Sequence, residues 1–391
     1  MSVTLNERCR NMILGALVAD AATMGLHWIY DQERIREVAP ESPEFTKPDA
    51  AHYSGVPAYF AHEARTAGDF SQYGEQAALM LSTLAGSEGV FDPITFAEHF
   101  RSHFGYGGAY VGYIDHATRD TLDNFRRFED AVHAACDEVL SQSDTKLIKA
   151  IANKAVPVLV RSGGEALTDA LGDAIRQATK EPEVLTQTDA LQAALKAIPK
   201  PTGAHDLQMP ATAKLPALIA VLAQKGITSG SQFDATVASA VRVTSDHATA
   251  DTYSRICAHM IAAALLHGNV DEAIAAARAV APAEADTLLE QALEMRGQDA
   301  NSATQHFGMA CDLPFGVPSA VQNIATSSSY TEAVRRNIYA GGDNCGRAII
   351  VGAVMGAVYG IGGEAGIPEA WISRLTEHES VMLGISELFS A

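Results

Sequence analysis

Apolar residues recur at helical spacing wherever the sequence shows a clear pattern, and strict alternation of apolar and polar residues is almost absent. The first predicted helix follows a capping box at residues 4–7 and carries an apolar stripe over 9–17. The most regular stripe covers residues 253–265 and ends at Gly268. The pattern therefore predicts an all-α fold, a compact bundle of many helices.

Small residues mark the last strong helix, which follows residues 341–345 and carries Gly352, Gly356 and Gly360 at four-residue spacing. A stripe of glycines lets another helix approach closely, so this helix is predicted to be central. Shorter amphipathic segments over 141–201, broken by prolines and paired glycines, indicate an inserted helical region. Because no segment has the composition of a flexible linker, we predict one domain over residues 1–391 with that insertion.

The charge balance narrows the range of partners. Lys plus Arg is 28 and Asp plus Glu is 47, which gives a formal charge of −19. An acidic chain without a basic cluster repels phosphates, so we expect neither nucleic-acid nor anionic-membrane binding. No apolar stretch reaches the roughly 20 residues of a membrane span. We expect a cytoplasmic protein with a small-molecule substrate, and the sequence leaves the oligomeric state open.

The five cysteines are odd in number and lack CxxC spacing, which argues against disulfides and a structural zinc site. Cys345 differs from the others because the paired glycines and Asp343 before it predict a turn and a helix start. A helix N-terminus stabilises a thiolate, and Arg347 adds positive charge nearby. Cys345 is therefore a candidate nucleophile; the alternative is a small buried residue at a crowded helix start.

Other polar residues cluster where predicted helices begin or end, and Asp20 lies on the apolar face of the first helix, where a carboxylate needs a partner. Each could equally cap a helix or make a structural hydrogen bond. Their shared position at helix ends predicts a pocket at one end of a helical bundle. The further candidates at these junctions are His27, Trp28, Tyr73, Glu75, Tyr110, Asp206 and His247.

Several ordered segments together resemble the ADP-ribosylglycohydrolase family: residues 15–22, 71–81, 244–268, 307–308, 317–320, 340–343 and 351–353. The resemblance covers nearly the whole chain and implies a compact all-α fold. In active members it implies two magnesium ions, bound by a glutamate, a Thr-Asp-Asp run and a Gly-Gly-Asp-Thr-Asp-Thr run.

Most of those ligands are replaced in this chain. His27 matches the glutamate, residues 71–73 read Ser-Gln-Tyr, and residues 341–346 keep only Asp343 as a carboxylate. Magnesium prefers oxygen ligands in an octahedral array, so its usual site is not expected. The replaced motifs are similar to the J-crystallin and selenoprotein J branch of the family.

The leading hypothesis is an atypical, metal-independent hydrolase of a small molecule, with a C–N glycosidic bond suggested by the resemblance. Cys345 would be the nucleophile, with His27 or His247 as the base and Tyr73 and Asp343 as further catalytic groups. One alternative is a magnesium-dependent ADP-ribosyl hydrolase that holds metal through Asp343. Another is a non-catalytic, crystallin-like binding or structural protein. A single zinc ion on His27, Asp343 and Cys345 is the remaining cofactor hypothesis.

Overall fold

The computed structural model describes residues 3–162 and 164–389, and over these residues it confirms the all-α prediction. Strand pairing among them is limited to three isolated bridges. The helices are α1 Leu5–Thr23, α2 Gln32–Val38, α3 Ala50–Tyr53, α4 Gln72–Gly86, α5 Pro93–Phe104, α6 His116–Val139, α7 Thr145–Arg161, α8 Gly164–Ala178, α9 Pro182–Leu185, α10 Thr188–Lys196, α11 Leu215–Gln224, α12 Ser231–Arg242, α13 Ala248–His267, α14 Val270–Val280, α15 Ala283–Glu294, α16 Ala300–Phe307, α17 Leu313–Thr326, α18 Tyr330–Ala340, α19 Asn344–Tyr359, α20 Glu369–Ile372 and α21 His378–Phe389.

The chain divides into two compact units. The larger unit comprises residues 1–117 and 205–391, and the smaller comprises residues 118–204. The region predicted as an insertion, 141–201, lies inside the smaller unit. The prediction of a single domain stays a prediction.

The centre of the larger unit is the antiparallel pair α1 and α19, both buried over most of their length. Their backbones approach so closely that a Cβ on Gly15 would lie 2.2 Å from the carbonyl oxygen of Gly352. Gly356 faces the carbonyl of Asn11 in the same way. Gly352 and Gly356 therefore have the predicted role, and the end of α1 is brought to the start of α19. Gly360, predicted on the same helix, instead lies just past its end as the C-cap, with φ 73°.

The smaller unit has an apolar core of its own. Buried side chains from α6, α7, α8 and α10 form it, among them Val132, Ile151, Leu171 and Leu191. Each helix contributes one apolar face, as expected for amphipathic helices that pack around a shared core.

Local capping follows the sequence closely. Thr4 and Glu7 form the predicted capping box, with the Thr4 hydroxyl accepting from the Glu7 amide at 3.2 Å and the Glu7 carboxylate accepting from the Thr4 amide at 2.7 Å. Gly268 ends α13 in the left-handed conformation, also as predicted. Within the described residues, no helix combines the length and apolarity that a membrane span requires.

Candidate functional site

Polar side chains meet where α1 ends and where α4 and α19 begin. Asp20 of α1 is fully buried and accepts hydrogen bonds from the Ser71 amide at 2.8 Å and the Ser71 hydroxyl at 2.5 Å. Ser71 in turn caps α4 by accepting from the Tyr73 amide. Burial raises the pKa of Asp20 to about 7, against the lowering effect of the Ser71 hydrogen bonds. Asp20 thus joins α1 to the start of α4.

The glycine pair before α19 makes a turn that only glycine fits. Gly341 and Gly342 both have positive φ, at 69° and 61°, and a Cβ on Gly342 would lie 2.3 Å from the Met309 carbonyl oxygen. Asp343 then caps α19, with its side chain accepting from the Gly346 amide at 3.4 Å. This arrangement agrees with the turn and cap that the sequence predicts.

A chain of three buried side chains forms the centre of the site. Nε2 of His27 lies 2.9 Å from Oδ1 of Asp343, and Nδ1 of His27 lies 2.8 Å from Nε2 of His62. All three side chains are at most 1% exposed. Burial lowers the pKa of His27, although Asp343 opposes the effect, and burial lowers the pKa of His62 well below its usual value. Both rings are therefore neutral at physiological pH.

The second oxygen of Asp343, Oδ2, is buried and has no hydrogen-bond partner of good geometry. The hydroxyl of Tyr73 faces Asp343 and Cys311. Burial raises the pKa of Tyr73 well above its usual value, so its hydroxyl keeps its proton and can act as a donor. The site thus combines a carboxyl group that is hydrogen-bonded to His27 through Oδ1 with the protonated phenol of Tyr73 beside it.

Aromatic rings cover this centre. Trp28 adopts the left-handed backbone conformation, φ 62°, and its ring stacks on His27 at 4.1 Å between centroids. Tyr113 and Tyr59 meet Trp28 edge to face at 5.1 Å and 5.6 Å. Tyr59 is 54% exposed, so the cluster extends from the buried histidine to solvent. An aromatic wall of this kind suits a flat, unsaturated ligand.

Cys345 lies within the site without the properties of an activated nucleophile. The side chain is fully buried, and its pKa is raised well above the usual value by burial and by the nearby carboxyls of Asp20 and Asp343. The sequence predicted the opposite shift from the helix N-terminus and Arg347. That prediction is wrong, because desolvation and the two acidic neighbours raise the pKa by more than Arg347 lowers it. A nucleophilic role for Cys345 stays a prediction without support from this geometry.

Two residues of the site were missed by the sequence analysis. His62 and Cys311 belong to irregular segments without a recognisable motif, and their partners lie far away along the chain. Cys311 is the one partly exposed cysteine among the described residues, and Trp28 and Tyr73 both face its sulfur. Burial raises its pKa well above the usual value, so it too is a thiol.

Glu75 and Tyr110 belong to a neighbouring network. Both carboxylate oxygens of Glu75 are engaged, one by Arg65 at 2.9 Å and the other by His103 at 3.0 Å. The Arg65 guanidinium also stacks over the Tyr110 ring at 4.4 Å, and the Tyr110 hydroxyl donates to the Tyr113 carbonyl. These contacts support the aromatic wall through Tyr113, and a substrate-binding role for either residue stays a prediction.

Asp206 and His247 have local hydrogen bonds of a structural kind. Asp206 accepts from the Gln208 amide at 2.8 Å. His247 caps α13 by accepting from the Thr249 amide at 3.0 Å, and its ring lies 4.5 Å from that of His205. None of these contacts reaches the His27–Asp343 pair. His247 has the alternative role of a helix cap, and a substrate-binding role for either residue stays a prediction.

The donor set does not fit a metal centre. Both ring nitrogens of His27 already have partners, and burial raises the pKa of Cys345 and of Tyr73 well above their usual values. Across the part of the chain that the structure describes, no three His, Cys, Asp or Glu side chains are grouped so as to hold an ion. The magnesium and zinc hypotheses therefore find no ready ligand set here.

The fold and the site together define a class of protein: a helical bundle with a polar site where the ends of its helices meet. A solved structure described as an ADP-ribosylglycohydrolase-related protein complex shares this fold, with a TM-score of 0.55, 16% identity and 98% of each chain covered. The ADP-ribosylglycohydrolase family model matches residues 1–198 and 215–390, so the chain belongs to that family.

Two relatives from Tripedalia cystophora are similar over nearly their full length. Crystallin J1A is 25% identical over 383 residues, which are 96% of this chain and 94% of the crystallin. Crystallin J1B is 24% identical over 392 residues, 99% and 98% of the two chains. The similarity agrees with the J-crystallin branch indicated by the sequence.

Proposed function

We propose that the protein is an atypical hydrolase that cleaves a C–N glycosidic bond of a small molecule without the dinuclear magnesium centre of its family. One observation carries the proposal. Asp343 is buried and held through Oδ1 by His27, its Oδ2 makes no hydrogen bond of good geometry, and the Tyr73 hydroxyl faces the carboxyl group. A carboxylate fixed in this way is a positioned base in a dry site.

The chemistry follows from the demands of N-glycoside hydrolysis, which develops positive charge on the anomeric carbon. Water forms the new C–O bond while the C–N bond breaks and its electron pair goes to the leaving nitrogen. Asp343 Oδ2 takes the proton from the water and stabilises the positive charge. The proton then goes to the leaving nitrogen of a purine or guanidino group, or to solvent where a pyridinium leaves as neutral nicotinamide. Tyr73, as a protonated donor, orients the reacting oxygen, and Trp28 covers the flat leaving group.

In this scheme water replaces Cys345 as the nucleophile. A thiol whose pKa lies well above its usual value is a poor nucleophile at physiological pH, because the thiolate is the reactive form. His247 is replaced for a different reason, since its ring is committed to the cap of α13.

A second candidate function is a non-catalytic, crystallin-like binding or structural protein. The full-length similarity to crystallins J1A and J1B favours it. The burial of the site also favours it, because His27, Tyr73 and Asp343 are each at most 1% exposed and a substrate needs access to them.

Release of the free base from a panel of N-glycosides tests the proposal. The panel is inosine, nicotinamide riboside, NAD⁺ and ADP-ribosylarginine, assayed in buffer with a chelator. Asp343→Asn keeps the shape but loses the base, and we expect base release to fall by roughly 100-fold or more. The matched control is Asp299→Asn, which alters the capping aspartate of α16 and should leave the rate unchanged.

Equal rates in wild type and Asp343→Asn would contradict the assignment of the base. Absence of release from every member of the panel would favour the crystallin-like candidate. Thermal-shift measurements with the same compounds then separate ligand binding from a purely structural role.

A further inference from the structure

His62 lies in the segment between α3 and α4, and its ring contacts the site at His27. It has no role in the proposed steps of hydrolysis. Its side chain is 1% exposed, and its ring lies parallel to that of His27, with centroids 5.1 Å apart and an angle of 21°. Its Nε2 is 2.8 Å from Nδ1 of His27. Its own Nδ1 is buried without a hydrogen-bond partner.

The positions of the hydrogens follow from the chemistry of the groups. A carboxylate oxygen only accepts, so the hydrogen between Asp343 and His27 is on Nε2 of His27. In a neutral imidazole the other nitrogen is then an acceptor, so Nδ1 of His27 needs a donor. Nε2–H of His62 is the donor in reach. The lone pair of His62 therefore ends up on Nδ1, the atom without a partner.

We propose that His62 is a positioning residue for Asp343 and acts through His27. By donating to Nδ1, it fixes the Nε2–H tautomer of His27, and that tautomer holds Oδ1 of Asp343 so that Oδ2 stays directed at the reacting water. The consequence for turnover rests on the proposed function, whereas the tautomer of His27 does not.

Without His62, the alternative tautomer of His27 becomes accessible. It would place a lone pair on Nε2 against the carboxylate of Asp343, which removes the hydrogen bond and adds repulsion. A buried acceptor that has lost its donor also favours such a rearrangement. Trp28, stacked on both histidines, holds the ring planes but offers Nδ1 of His27 no hydrogen.

Two substitutions separate these effects. His62→Leu fills the space and removes the donor. His62→Gln removes the imidazole but keeps an N–H that can donate to His27. His306→Gln is the matched control, because His306 is exposed and its ring contacts only the neighbouring Phe307 among the described rings.

The readout is the tautomer of His27, measured by long-range proton–nitrogen correlation on the full chain labelled with ¹⁵N-histidine. We expect wild type, His62→Gln and His306→Gln to show His27 protonated on Nε2 alone. His62→Leu should show a mixture of tautomers or the Nδ1–H form. An Nδ1–H tautomer in wild type, or an unchanged pure Nε2–H tautomer in His62→Leu, would overturn the proposal. If His62→Leu does not fold, the wild-type and His62→Gln spectra decide.

A kinetic readout follows on a glycoside that wild type hydrolyses. His62→Leu should lower kcat by roughly 10- to 100-fold with little change in KM, and His62→Gln should recover most of the loss. If the tautomers behave as expected while no glycoside in the panel is cleaved, the proposed function fails and the positioning role stands.

Discussion

The fully buried carboxyl of Asp20 links protonation to stability. Its pKa is raised to about 7 in the fold, whereas an unfolded aspartate has a value near 3.8. Between about pH 4 and pH 7 the folded chain binds more protons at this site than the unfolded chain, so this group's contribution to stability falls as the pH rises. Above pH 7 the full cost of the buried charge is present.

Asp20→Asn should remove this pH dependence, because the amide is neutral and can still pair with the Ser71 amide and hydroxyl. We expect the difference in unfolding free energy between wild type and variant to shift in favour of the variant as the pH rises from 4 to 7. The shift should be on the order of a few kcal/mol. Urea unfolding at several pH values measures it. A constant difference would show that Asp20 titrates normally in the fold.

The cysteines make a second prediction at this scale. Cys311 is partly exposed, whereas Cys345 and the other described cysteines are buried. Because burial raises the pKa of both site thiols, alkylation of the native protein near neutral pH should be slow, with Cys311 modified first. Cys345 should react only after unfolding in urea. Peptide mapping over time resolves the two; rapid native alkylation of Cys345 would restore it as a candidate nucleophile.

Sequence reasoning found the residues of the site that lie in motifs and missed those that do not. His27, Tyr73 and Asp343 lie at helix junctions that capping and glycine patterns reveal. His62 approaches His27 across 35 positions of the chain through an irregular segment, and Cys311 reaches Tyr73 in the same way. Burial also reversed the expected shift in the pKa of Cys345, because a helix-start pattern carries no information about desolvation.

Where the helices α1 and α19 cross, their backbones leave no space for a side chain at the glycines. Gly352→Ala would place a Cβ 2.2 Å from the carbonyl oxygen of Gly15, so the two backbones must separate. We expect a loss of stability of about 3 kcal/mol or more, or failure to fold. Gly86→Ala at the end of α4 is the control, because a Cβ there meets nothing within 4 Å. It should be neutral or stabilise by about 0.5–1 kcal/mol.

Thermal unfolding of the two variants gives the comparison, and similar melting temperatures would refute the close crossing. A close approach of another helix to α19 was predictable from the spacing of Gly352 and Gly356, but the identity of that helix as α1 was not. The residue at which the smaller unit starts was not predictable from the sequence. Helix α6 continues without a Gly or Pro from His116 to Val139, so nothing in the sequence marks residue 118 as a boundary.

At the scale of the whole molecule, the two units have separate cores and can be observed separately. The chain has two tryptophans, Trp28 and Trp371, and both belong to the larger unit. Leu191 is fully buried in the core of the smaller unit. Leu191→Ala should destabilise that unit by about 2–5 kcal/mol.

Far-UV circular dichroism should then show an early loss of helix, while the midpoint of tryptophan fluorescence stays near that of wild type. Leu383→Ala, which alters an exposed leucine of α21, is the control and should change neither signal. Equal shifts of both signals in Leu191→Ala would indicate one cooperative unit and support the single-domain prediction.

We propose that this member of the family hydrolyses a glycosidic bond with Asp343 and water in place of magnesium. The most direct test is the rate of base release by the wild-type protein, measured with a chelator and again with excess magnesium chloride, across the four glycosides named above. We expect release of a free base at the same rate in both conditions. Release that requires magnesium, or no release in either condition, would contradict it.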